Sequence, residues 1–295
     1  MKVLLTGGSG FLGRHFKSKI DEIVTIGRNS SNDIRCDLSK NIPKIPNDLD
    51  KVIHAAGLAH IRNQSNQNID KLYKSNVLAT KNLLEKLSNS ETNISQFIYI
   101  SSVSVYGLDS GENINENHLT IPTSYYAKNK LECEKLISNW AKESGVALTI
   151  LRLPLVFGKN PPGNLGKLIS SIKSGFHISL GDGEARKSVV LAKDVADLCL
   201  KITNNTGIYN LTDKCNPSFK EIEKHISNRL QKVIILRIPH FIINLFCVIG
   251  DFLPEIFPLK SETYNKINKT LTFSDDKASF ELNWHPQNVL KSVEW

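Results

Sequence analysis

Residues 1–16 read MKVLLTGGSGFLGRHF, an apolar run from Val3 to Leu5 that passes directly into glycines at 7, 8, 10 and 13. The run reads as a short strand buried on both faces, and the segment from Phe11 onward as a helix. Between them Gly8-x-Gly10-x-x-Gly13 fits G-x-G-x-x-G, and Gly7-x-x-Gly10-x-x-Gly13 fits a neighbouring spacing. Glycine takes a tight strand-to-helix turn, lets backbone N–H groups approach a pyrophosphate, and lets the helix pack closely on the sheet. A helix start behind such a turn offers unpaired donors and partial positive charge to an anion. An ordinary glycine-rich turn is the competing reading, and the strand–turn–helix order counts against it.

The same alternation continues outward. Strand-like runs at 2–6, 22–26, 33–36, 51–56, 96–102 and 147–154 alternate with helical patterns at 11–20, 69–88, 124–144 and 165–174. This rhythm predicts an α/β fold, a Rossmann-type doubly wound parallel sheet with helices on both faces. After Gly158 it breaks into NPPGNLG, a loop-rich stretch and a GDGEARKS turn, followed by strand KSVVL, a helix from Asp194 and strand GIYNL. From Pro217 the chain reads as mainly helical. The expected division is a dinucleotide-binding domain over 1–160, rejoined by 186–212, and a smaller, mainly helical substrate lobe over 161–295.

At 295 residues, 40% hydrophobic and 22% charged, the composition is that of a soluble globular protein. Cysteines at 36, 133, 199, 215 and 247 form no C-x-x-C pair and no metal-ligand spacing. They read as reduced, mostly buried thiols of a cytoplasmic protein, with no signal peptide expected ahead of the first strand. The net charge of +8 is scattered, without a basic run carrying interleaved aromatics, so nucleic acid is not the expected partner. A pocket for a small, multiply charged anion uses part of such an excess. The apolar stretch Phe241–Ile249 is interrupted by Asn244 and flanked by Pro239 and Asp251. It falls short of the roughly 20 residues a membrane span requires and is expected as a buried or groove-lining helix.

In open α/β sheets the ligand lies beyond the carboxyl ends of the strands, so those ends carry the chemistry. The second strand ends Ile26-Gly27-Arg28-Asn29. An acidic residue there suits the ribose 2′-hydroxyl of NAD, whereas Arg28 suits a 2′-phosphate, and Asp33 falls beyond the strand end. That tilts the cofactor reading from NAD to NADP. The fourth ends His54-Ala55-Ala56-Gly57, where small residues let a cofactor pass close to the sheet and His54 reads as a satisfied core histidine. The fifth ends Ser101-Ser102-Val103-Ser104-Val105-Tyr106-Gly107, and after a loop from Leu108 to Pro122 a helix opens with Tyr125-Tyr126-Ala127-Lys128-Asn129-Lys130.

Tyr126 and Lys130, four apart, share a helix face. A phenol titrates at about 10, and a nearby ammonium and a cationic nicotinamide both favour phenolate. Lowering the phenol by about three units requires roughly 4 kcal/mol of preferential stabilisation. A serine at the strand end would then hydrogen-bond the same reacting oxygen.

Taken together, these residues resemble the extended short-chain dehydrogenase/reductase family, the NAD-dependent epimerase/dehydratase group acting on nucleotide sugars. TGGSGFLG, carrying Gly7, Gly10, Phe11, Leu12 and Gly13, resembles the family's cofactor loop. Cys36-Asp37-Leu38 resembles the segment whose Asp contacts the adenine amino group. His54-Ala55-Ala56-Gly57 resembles the stretch that passes the cofactor. Asn76-Val77-Leu78-Ala79-Thr80 resembles the N-V-x-G-T helix, with Ala79 in place of Gly. SSVSVYG and YAKNK resemble the catalytic segments, LRLPLVFG the strand whose Pro154 lies near the nicotinamide, and DDKASFELNWHP the segment that closes the fold.

The resemblance implies proton transfer by Tyr126, a supporting ribose-binding cation in Lys130, and the serine role in Ser102, with Ser104 as the alternative. It implies a substrate diphosphate held by Arg186 or Lys187, a substrate-facing Asn164, and a homodimer paired through 69–88 and 124–144. The implied substrate is an NDP-sugar, UDP-linked, with hydride transfer at hexose C4 in bacterial surface polysaccharide synthesis. Arg28 tips the expectation to a 4-keto sugar reductase, and a UDP-hexose 4-epimerase with tightly bound NAD is the alternative. A dehydratase is disfavoured because Ser102-Val103-Ser104 offers no carboxylate. A non-catalytic NADP-binding regulator is the rival from another class, and the intact Ser–Tyr–Lys set counts against it.

Overall fold

In the computed structural model the described residues are 1–19, 22–59, 65–230, 234–244, 247, 264 and 268–293. Seven strands form one sheet: β1 (Val3–Thr6), β2 (Ile23–Gly27), β3 (Ile34–Arg35), β4 (Lys51–His54), β5 (Gln96–Ser102), β7 (Ala147–Leu153) and β11 (Gly207–Asn210). Their order is β11-β7-β5-β4-β1-β2-β3, and every pairing is parallel. From β1 the chain builds outward to β2 and β3, then crosses to β4 and continues the other way. The crevice between β1 and β4 is therefore the topological switch point, where ligands bind in such sheets. Thr6 pairs with His54 in register, so the turns at Gly7 and Ala55 leave the sheet side by side.

Each central strand buries both faces, as a doubly covered parallel sheet demands. Val3, Leu5, Ile53, Ile98 and Leu151 pack with Phe16, Val195 and Cys199. Leu4, Val52, Phe97 and Ile150 pack oppositely with Leu83, Cys133 and Ile137. The helices responsible are α1 (Phe11–Lys17) and α6 (Ala192–Lys201) on the first face, and α3 (Ala79–Ser88) and α4 (Tyr125–Ser144) on the second. The expected helix at 69–88 begins earlier, as α2 (Asn66–Tyr73), and passes through a π-helical turn at Lys74–Leu78 before α3. Of the expected helix 11–20, Ile20 lies outside the described residues.

The remaining chain forms short strand pairs. Strand β8 (Leu155–Phe157) pairs with β10 (Val189–Leu191), and β9 (Phe176–Leu180) with β12 (Ile234–Ile238). Strand β6 (Gly111–Ile114), inside the stretch read as a loop at 108–122, pairs with β13 (Leu271–Phe273). Helices α5 (Gly163–Lys173) and α7 (Phe219–Leu230) pack on each other. Beside its helices the smaller lobe carries these short strands; at three to five residues, with partners far along the chain, they leave little local signal. Of the segment 186–212, β11 joins the main sheet whereas β10 does not. Cys133, Cys199 and Cys247 are buried, but Cys36 is half-buried and Cys215 exposed. Of Phe241–Ile249, positions 245–246 and 248–249 lie outside the described residues. No helix among the described residues is long and apolar enough to cross a membrane.

Candidate functional site

A cleft of about 190 Å³ opens at the switch point, lined by Gly7, Gly10, Arg28, Asp37, Leu38, Ala55, Ala56 and Gly57. Gly7 adopts φ +76°, and a Cβ there would lie 2.8 Å from the Ala56 backbone. A Cβ on Gly13 would lie 2.1 Å from the Gly7 carbonyl oxygen, so only glycine lets α1 settle on the turn. This side-chain-free cradle fits the diphosphate of a dinucleotide, with Arg28 and Asp37 at hand for the nucleoside end.

Phe11, Leu12, His54 and Asn76, expected at the cofactor, are not among the residues lining this cleft. Phe11 packs edge-on to His15 and beside Gly158, and Leu12 packs into the core. Buried His54 has Nδ1 2.6 Å from Thr6 Oγ1 and Nε2 2.8 Å from Thr80 Oγ1. Burial, reinforced by the Lys130 charge, pushes it down to about 3, so it is a neutral core histidine. Asn76 accepts from Leu58 N at 2.7 Å and donates to Leu58 O at 3.0 Å, clamping the turn beyond Gly57.

Asp33 accepts from Thr25 N at 2.8 Å and Thr25 Oγ1 at 2.7 Å, which commits its carboxylate to β2. Asp37 accepts from Ser39 Oγ at 2.7 Å. Partial burial would raise Asp37, but the Ser39 bonds and the Arg28 charge leave it below the usual carboxylate range.

Strand β5 ends at Ser102, whose Oγ accepts from Ser104 N at 3.2 Å and so caps the 3₁₀ turn Val103–Tyr106. Ser124 Oγ caps α4 by accepting from Ala127 N at 3.2 Å. These two starts set Tyr126 near Ser102. Burial pushes the phenol up to about 12, the Ser102 hydroxyl opposing. Lys130 donates to Ile100 O at 2.7 Å and sits 4.7 Å over the Tyr99 ring. Burial pushes it down to about 8, with Cys133 and Glu134 opposing.

The expected phenolate rests on the ammonium together with a cationic nicotinamide. Among the chain's own groups desolvation dominates, the ammonium is committed to Ile100 and Tyr99, and Tyr126 is held as a neutral proton donor. Lys130 Nζ would meet a Cβ on Gly57 at 3.7 Å, which sets it against the cleft wall. Ser104 Oγ is buried without a hydrogen-bond partner.

A buried ion pair braces these elements. Arg152 meets Glu134 at 2.7 and 3.1 Å, Ser101 Oγ donates to Glu134 Oε1 at 2.5 Å, and both ionic side chains are 4% exposed. Arg152 also lies 4.9 Å over the Tyr106 ring, whose hydroxyl donates to Asn210 at 2.9 Å. The ends of β5, β7 and β11 are thereby tied to α4.

A second cavity, about 600 Å³, begins at Val103 and Pro154 and extends into the smaller lobe. Asn164 and Lys187 line it. Arg186 is not among the lining residues; it is half-exposed, donates to Asn216 O at 3.1 Å and meets Glu221 at 3.5 Å. Lys187 donates to Lys269 O at 2.6 Å, and burial pushes it down to about 8, Asp109 opposing. Ser171, His177 and Glu223 also line this cavity and were not read from the sequence. The alternation in FHISL, which sets His177 and Ser179 on one strand face, is the signal that could have found the histidine.

Residues 3–212 match the model of the NAD dependent epimerase/dehydratase family. The N-acetyl-alpha-D-glucosaminyl-diphospho-ditrans,octacis-undecaprenol 4-epimerase of Escherichia coli O157:H7 is 28% identical over 168 residues, 55% of this chain and 50% of that one. The chain spans 50 to 62% of the length of the first curated relatives it matches. UDP-glucuronic acid 4-epimerase from Bacillus cereus, in complex with UDP-glucuronic acid and NAD, superposes with a TM-score of 0.74 at 23% identity, covering 98% of this chain and 95% of that one. RMD from Pseudomonas aeruginosa, complexed with NADPH, superposes at 0.73 with 20% identity, covering 99% and 96%. At these identities the two structures speak to the fold. The family match takes in every strand of the main sheet, from Val3 to just past Asn210, and the chain belongs to the NAD dependent epimerase/dehydratase family.

Proposed function

We propose that this chain reduces a 4-keto nucleotide sugar with NADPH, a UDP-linked hexose being the substrate that the cavity and the family favour. The observation that carries the proposal is adjacency. Gly57 lines the glycine cleft with Lys130 set against it, and the larger cavity is lined by Val103, the residue after Ser102. A nicotinamide dinucleotide, when bound, supplies the hydride. Tyr126, protonated at neutral pH, donates its proton to the C4 oxygen as the carbonyl becomes an alcohol. Ser102, near the phenol, polarises the same oxygen. Lys130 keeps positive charge one turn along the phenol's helix, and Lys187 with Asn164 holds the substrate diphosphate. Arg28 in the cleft, with Asp33 committed to Thr25, favours a 2′-phosphate and hence NADP.

Epimerisation at C4 with retained NAD is the second reading, favoured by the 4-epimerases among the relatives. Denaturing the purified protein and identifying any released nucleotide separates the two. An empty site that binds NADPH on addition supports reduction, and stoichiometric NAD supports epimerisation. We further propose a homodimer paired through 69–88 and 124–144; a monomer in sedimentation would contradict it.

A further inference from the structure

We infer that Ser171 reads the base of the nucleotide. Its hydroxyl oxygen accepts the ring N–H of a uracil-type imide, with His177 and Glu223 as positioning residues behind it. The inference rests on the reading of the larger cavity as the site of a nucleotide-linked sugar.

The cavity walls are mostly apolar, with Leu165, Phe219 and Ile222 among them. Its volume of about 600 Å³ suits a ligand of nucleotide-sugar size. Beyond Asn164 and Lys187, the polar exceptions include a connected chain. Ser171 Oγ lies 2.9 Å from His177 Nδ1, His177 Nε2 lies 3.3 Å from Glu223 Oε1, and Glu223 Oε2 accepts from Arg237 at 2.9 Å. The Glu223 side chain is 6% exposed. Burial would raise it, but bonds from His177 and Ser179 and the Arg237 charge hold it below the usual carboxylate range.

That chain fixes the direction of each hydrogen bond. An ionised carboxylate only accepts, so His177 Nε2 carries the hydrogen. In the tautomer we assign, with the hydrogen on Nε2, Nδ1 accepts and the hydrogen between it and Ser171 belongs to the serine. Ser171 Oγ is left with lone pairs alone for the cavity, a surface that answers an N–H donor. Uracil and thymine carry N3–H, whereas cytosine carries a bare N3 acceptor in its place. A polyprenyl diphosphate, the other common carrier of activated sugars, has no such donor. Its chain would set hydrocarbon against a hydrogen-bonded ionic cluster.

The test is calorimetric titration of the full chain with UDP, TDP, CDP and farnesyl diphosphate, for wild type, Ser171→Ala and Glu223→Gln. Wild type should bind UDP and TDP about tenfold more tightly than CDP, the worth of one well-made hydrogen bond against an acceptor–acceptor clash. Ser171→Ala should weaken UDP and, by removing the clash, leave CDP as tight or tighter, reducing the preference to about threefold or less. Glu223→Gln should do the same, because an amide can donate to Nε2 and release the tautomer. A merely structural role would weaken UDP and CDP alike, and NADPH binding in the other lobe reports that each variant is folded. Equal affinity of wild type for UDP and CDP, or an unchanged preference in both variants, overturns the inference and leaves the proposed function standing. Binding of farnesyl diphosphate without UDP overturns both.

Discussion

Replacing Lys130 by Met should abolish turnover and raise stability. The side chain is 6% exposed, and burial brings its ammonium from 10.5 down to about 8. That shift of about 2.5 units, at about 1.4 kcal/mol each, makes the charged form roughly 3 kcal/mol less favourable in the folded than in the unfolded chain. Methionine removes this cost and forfeits the charge-assisted hydrogen bond to Ile100, worth about 1.5–3 kcal/mol. The net expectation at pH 7 is a stabilisation of up to about 1.5 kcal/mol.

The pH dependence has a definite sign. Between about 8 and 10.5 the unfolded chain still binds a proton that the folded chain has released, so the stability of wild type rises with pH. Below that window the penalty is fully present, and above it the penalty is gone. Lys130→Met lacks this dependence, so its advantage should shrink from pH 7 to pH 10. Urea unfolding of both proteins at the two pH values measures this, since other titrating groups cancel in the difference. A variant less stable than wild type at pH 7, or a difference that does not change by pH 10, would refute the reasoning.

Tyr126→Phe should lower kcat by about 10²–10⁴-fold while NADPH still binds, as fluorescence titration would report. Because the phenol rests at about 12, carbonyl reduction by wild type should be flat from pH 6 to 9, whereas alcohol oxidation, which needs the phenolate, should accelerate with pH. Arg152→Leu strands the buried Glu134 carboxylate and should destabilise by about 3–5 kcal/mol in chemical denaturation, the double replacement with Glu134→Leu being milder. Gly13→Ala drives a methyl group into the Gly7 carbonyl, so α1 must lift from its turn; cofactor titration should show binding lost. Arg28→Leu should weaken NADPH about tenfold and leave NADH unchanged.

The larger architecture was legible in the order of residues. Apolar runs separated by helical periods dictate a doubly covered parallel sheet. Gly7 and Gly13 mark the turn because no other residue tolerates their conformation and contacts. The four-residue spacing of Tyr126 and Lys130 places both on one face of α4 before any tertiary contact exists. Those are local facts, carried by periodicity and by the stereochemistry of single residues.

What tertiary structure alone decided depends on distance and on exclusion of water. Strand β6 needed β13, and β9 needed β12, partners that no local pattern names. Arg186 and Lys187 are adjacent in the chain, yet only Lys187 lines the cavity. The Ser171–His177–Glu223 chain joins side chains up to 46 positions apart along a pair. Tyr126 and Lys130 are each pushed toward their neutral forms because burial, which exists only once the chain has folded, acts on both groups at once.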